Sequence, residues 1–72
     1  MMDKKYFLQL LGKQLKRIRE QQGMSVDELA QISKVSKNTI NGIEQGKTNT
    51  RLSTIEKLSI AMKHPTSDFF DF

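Results

Sequence analysis

Three side-chain amides, Asn38, Asn41 and Gln45, lie close together in the stretch "KVSKNTINGIEQGKTN", residues 34–49. Each carries a donor and an acceptor on a short stem. On a helix with Ile40 set to zero, Ile43 falls at about 300°, the three amides between about 100° and 160°, and Gly42 at about 200°. The outward face is then Asn38, Asn41, Gly42 and Gln45, with Lys37 on its flank. Paired donors and acceptors of this kind match the N6 and N7 edge of adenine in the major groove of DNA. A face meant only for water would more often carry Glu and Lys, which are good helix formers. Gly42 weakens such a helix by about 1 kcal/mol relative to Ala. A close approach of the helix backbone to the groove floor would compensate for it.

Other chemistries lack material. The chain has no cysteine and a single histidine, His64, beside its only proline, Pro65. That removes a disulfide framework, thiolate zinc sites and a multi-histidine metal site. There is no nucleophile–base pair and no phosphate loop, and 72 residues enclose little. No enzyme, metal or cofactor is expected. The net charge of +4 is unevenly spread. Residues 1–19 carry six basic groups against Asp3, residues 20–32 are acidic (Glu20, Asp27, Glu28), and residues 33–51 set Lys34, Lys37, Lys47 and Arg51 against Glu44. Two basic zones around an acidic segment suggest a polyanionic partner.

The elements that position these groups can be read from the pattern. Leu8, Leu11, Leu15 and Ile18 form one helical stripe over about 6–21, stopped after "REQQ" by Gly23. "SVDE" at 25–28 is a capping box, opening a short helix whose apolar side is Val26, Leu29, Ala30 and Ile32. Ser36 is the natural cap of a third helix, about 36–45, with Ile40 and Ile43 inward and Gly46 as its stop. "KTNTR" is a loop. A fourth helix starts near Leu52, capped by Thr50 or Ser53, and buries Leu52, Ile55, Leu58 and Ala61 or Met62. Pro65 opens a last short helix carrying Phe69, Phe70 and Phe72.

The expectation is an all-α, compact five-helix fold in one domain, residues 1–72, with a helix-turn-helix at about 26–45. No apolar run approaches the roughly 20 residues that span a bilayer. The N-terminus has no cleavage site, so a cytoplasmic protein without membrane contact is expected.

The stretch from "LGKQLKRIREQQGMSVDELA" through "VSKNTINGIEQGK" to "LSTIEKLSIAM" resembles the phage-repressor or Xre-like helix-turn-helix family of transcriptional regulators over about residues 11–70. "INGIEQGKTNTRLSTIEKLS" is also similar to the small controller proteins of restriction–modification systems. The resemblance implies a lambda-repressor-like fold that binds double-stranded DNA as a dimer, with the third helix in the major groove. It implies Lys37, Asn38, Asn41, Gly42 and Gln45 as base-reading candidates. It implies phosphate contact by Ser36 and Thr39 and by the loop residues Lys47, Asn49 and Arg51, and a structural ion pair between Arg19 and Glu44. Lys16 is a further phosphate candidate from the basic first helix. Three positions depart from the family: Lys34 replaces a glycine at positive φ, Val26 a phosphate-contacting glutamine, and Thr50 a loop proline.

The function expected is a sequence-specific transcriptional regulator, a repressor or autoregulator. The alternative is a protein-interaction module of the same fold, such as an antitoxin binding a partner toxin. Phe69, Phe70 and Phe72, in "DFFDF", exceed what one core edge needs and are the dimer candidates, with at least one of them expected inside the core of the chain. The operator of a two-fold dimer would be a pseudo-palindrome.

Overall fold

The computed structural model describes residues 3–72. Met1 and Met2, counted within the expected 1–72 unit, lie outside the described residues. Four α-helices follow one another: α1 (Lys4–Gln21), α2 (Val26–Ser33), α3 (Lys37–Glu44) and α4 (Leu52–Met62). The fifth element is not an α-helix but a 3-10 helix, Thr66–Phe70. Pro65 caps it instead of occupying its first position. There is no strand among the described residues, and no helix there is long and apolar enough to cross a membrane.

Local chemistry explains most boundaries. Asp3 accepts the Tyr6 amide at 2.9 Å, which starts α1 before the apolar stripe begins. Gly23, at φ +67°, ends it, and the Met24 amide folds back to the Arg19 carbonyl. The capping box is complete: the Glu28 amide donates to Ser25 Oγ at 3.0 Å, and the Ser25 amide to Glu28 Oε1 at 3.1 Å. Ser36 Oγ accepts the Thr39 amide at 3.1 Å and opens α3. At α4, neither Thr50 nor Ser53 is the cap. Arg51 occupies that place without a side-chain hydrogen bond.

The core is built from Leu11, Leu15 and Ile18 of α1, Leu29 of α2, Val35 of the turn, Ile40 and Ile43 of α3, Ile55, Leu58 and Met62 of α4, and Phe69. Three expected members are outside it, Leu8 half-buried and Leu52 and Ile32 exposed, while Val26 and Ala30 pack partly buried against it. Leu52 is 67% exposed and Ile32 is 56% exposed, because each falls at the outer margin of its helix's apolar arc. Helix α1 packs on α3 and on the 3-10 helix, while α2 packs on α3 and α4. Where α1 crosses α3, Gly12 faces backbone: a Cβ there would lie 2.9 Å from the Glu44 carbonyl oxygen and closer still to that of Ile43. The crossing needs glycine because the obstacle is main chain, which cannot rotate away.

Candidate nucleic-acid interface

Burial of Ile40 and Ile43, at 0% and 1% exposure, fixes the roll of α3 on the core. Asn38 is therefore exposed and Asn41 half-buried on the opposite side. Gln45 is exposed too, one residue past the helix as its C-cap. Lys37 stands at the first helical position, exposed, with its Nζ 2.9 Å from Asp27 Oδ1 of α2.

Gly42 has a structural reason that differs from the expected one. The Thr48 side chain packs where its Cβ would be, and the Lys47 amide donates to the Gly42 carbonyl at 2.9 Å. The glycine seats the loop after α3 on the helix itself. That loop and the two helices it joins enclose an open hollow lined by Thr39, Thr48, Asn49, Thr50, Arg51 and Thr54. The structure thus brings Thr39 of α3 together with Asn49 and Arg51 of the loop that follows it. It adds the hydroxyls of Thr48, Thr50 and Thr54, none of which the sequence reading offered as a phosphate contact. Their signal was the alternation in "TNT" and its repeat one helical turn into α4. Ser36 Oγ, besides capping, donates to Thr39 Oγ1 at 2.7 Å. Lys47 is exposed on the loop, and Lys16 is exposed on α1, outside this hollow.

Behind the interface, Arg19 and Glu44 tie α1 to the end of α3. Arg19 Nε donates to Glu44 Oε2 at 2.7 Å and Nη2 to Oε1 at 3.0 Å, a fork on a carboxylate. Nη1 donates to the Met24 carbonyl at 2.7 Å. The hydrogen-bonded Glu44 carboxylate holds the guanidinium above its ordinary pKa, against an opposing effect of burial. A raised basic pKa stabilises the fold fully below the unfolded value and loses that contribution as pH rises through the folded one. For arginine this lies above the usual working range, so Arg19 adds no pH dependence of stability near neutrality.

The three phenylalanines separate. Phe69 is fully buried and is the one of the three that belongs to the core of this chain, as expected of at least one. Phe70 and Phe72 pack on Phe7 of α1, with ring centroids 6.3 and 5.5 Å away, and stay partly exposed. No cluster of three metal-ligating side chains occurs among the described residues.

A helix-turn-helix family model matches residues 15–69. The chain belongs to the helix-turn-helix family of transcriptional regulators. It is 39% identical over 59 residues to the HTH-type transcriptional regulator PuuR of Escherichia coli, covering 82% of this chain and 32% of that protein. The chain therefore spans about a third of the length of that curated relative. An HTH_3 family transcriptional regulator from Vibrio cholerae superposes with a TM-score of 0.90 at 31% identity, over 94% of this chain and 38% of that one. The restriction–modification controller protein C.Esp1396I, solved as a tetramer on its natural 35 base-pair operator, matches with a TM-score of 0.83 at 26% identity, over 92% of this chain and 87% of its own. As a member of this helix-turn-helix family the chain is a DNA-binding regulator domain and not an enzyme.

Proposed function

We propose that this domain represses or autoregulates transcription in the cytoplasm by reading the major groove with α3. The observation that carries the reading is the outward amide face of Asn38, Asn41 and Gln45, held in that orientation by the burial of Ile40 and Ile43. Ser36, Thr39, Lys47, Asn49 and Arg51 engage the phosphates beside it, with Lys16 as an outlying contact. The controller protein bound to its operator supports DNA as the partner.

One recognition helix reads too few base pairs to stand out in a genome. The working unit in this reading is a homodimer, joined through Phe70 and Phe72 beside Phe7, with recognition helices about 34 Å apart on a pseudo-palindromic operator. Sedimentation showing only monomer, free and on DNA, would overturn the dimer.

Selection of bound sequences from random duplexes, at stated salt, tests the reading. Asn38→Ala or Asn41→Ala should cost about 1–3 kcal/mol on the preferred site and relax one or two base pairs. Lys47→Ala or Arg51→Ala should weaken all sequences alike and flatten the salt slope by about one unit. Equal losses on random and preferred DNA for the Asn variants would rule out direct readout by α3.

A further inference from the structure

We propose that Asp27 is a specificity-determining residue, which holds the Lys37 ammonium as a neutral pair that donates to a guanine edge but attracts no phosphate. The inference rests on α3 reading bases, as proposed above. The contact joins the first turns of α2 and α3, with Lys37 Nζ 2.9 Å from Asp27 Oδ1.

Helix stability does not explain the placement of Lys37. The positive end of a helix disfavours a cation, and the first turn of α3 holds no acidic residue of its own. The compensating charge comes from α2, whose first turn carries Asp27 and Glu28. Both partners are well exposed, at 58% and 73% of their side chains, so the pair adds little to folding. Yet an acidic group beside the outward face of a basic domain works against binding DNA at all. The positive end of α2 accommodates a carboxylate at Asp27, but it does not call for a cation of α3 beside it; the use of the pairing lies in how that binding discriminates.

The donor count supplies the discrimination. An ammonium has three N–H donors, and Asp27 takes one. The other two match O6 and N7 of guanine, the acceptors of the commonest specific major-groove contact. A base edge is uncharged, so the pair keeps its internal attraction while it donates. A phosphate meets a pair of zero net charge, and the carboxylate repels it. Asp27 thereby removes one cation from non-specific binding and leaves its hydrogen bonds to the specific complex. It acts through Lys37 and touches no base.

Asp27→Asn frees the charge and is the test variant, with a single cooperative thermal transition, lowered by no more than the few degrees that the α2 dipole accounts for, as its folding check. On random duplex its affinity should rise several-fold, and the slope of log K against log salt should steepen by about 0.9 as Lys37 gains a phosphate. Affinity for the preferred site should change less, and the preference for guanine at one base pair should fall by about fivefold or more. In the Lys37→Ala background, Asp27→Asn should steepen no slope and change no base preference. Glu28→Gln, one residue away and still able to complete the capping box, removes the same charge and should leave the slope and the guanine preference unchanged. If Glu28→Gln reproduces the effects of Asp27→Asn, or if those effects persist without Lys37, the inference is wrong and only net charge matters. Asn38→Ala is selected in parallel. If it relaxes base preference while Asp27→Asn does not, the inference fails and the reading by α3 stands; if neither changes preference, both fail.

Discussion

Two ion pairs hold α3, one at each end, with nearly equal lengths and opposite surroundings. Arg19–Glu44 is 2.7 Å long, with side chains 10% and 8% exposed, and its carboxylate receives two guanidinium bonds while a backbone carbonyl takes a third. Lys37–Asp27 is 2.9 Å long and stands in water. The same attraction has different consequences. A dry, multiply bonded pair fixes the helix, since breaking it strands a charge away from water. A wet pair is worth little to the fold. The inner end of α3 is anchored, and the outer end is left available.

The comparison can be broken or sharpened in a graded way. Arg19→Ala should destabilise by about 3–5 kcal/mol, because Glu44 is left unpaired. A melting temperature equal to that of the unaltered protein would mean the inner pair is as wet as the outer one. Gly12→Ala attacks the same anchorage sterically. Pushing a methyl into the backbone of Ile43 and Glu44 should cost about 1–3 kcal/mol. A neutral result in denaturant unfolding would show that the α1–α3 crossing can open.

Lys34, which closes the turn before α3 at φ 63°, supplies an intermediate step. Lys34→Gly should be neutral or stabilising by up to about 1 kcal/mol, since glycine carries no steric penalty in that region. A clear loss of stability would mean the turn takes another path. The smallest effect belongs to the outer pair: Lys37→Ala should shift stability by less than about 0.5 kcal/mol. A larger loss in the same unfolding assay would show that the outer pair carries load.

Features decided within a turn of chain were legible in the sequence. The capping box at Ser25–Glu28, the Ser36 cap and the Gly23 stop need only neighbours three or four residues away. The inward stripes of α1 and α3 follow from period alone. What escaped depends on partners distant in the chain. The Arg19–Glu44 contact entered by family resemblance, for no spacing rule joins residues 25 apart. Lys37–Asp27 depends on the angle between two helices, which the turn sets. The role of Gly12 depends on the backbone of another helix. Leu52 and Ile32 mislead because apolar type at the margin of an arc does not decide burial. At the interface, the direction of Asn38, Asn41 and Gln45 followed from the pattern, whereas the threonine-lined hollow required the loop to fold back over Gly42.

The burial of Phe69 has a consequence for the order of events in the cell. Its ring completes a core whose other members are made earlier, and Gln14 of α1 waits to donate to the Asp68 carbonyl at 2.7 Å. A ribosome adding about 5–20 residues per second needs roughly 1–5 s to travel from the end of α3 to Phe69, and the exit tunnel hides that residue for longer. Until Phe69 is released, whatever part of the chain has emerged lacks the ring that closes the core behind α3. A nascent chain stalled with Phe69 still inside the tunnel should therefore be far more open to protease than one stalled after its release.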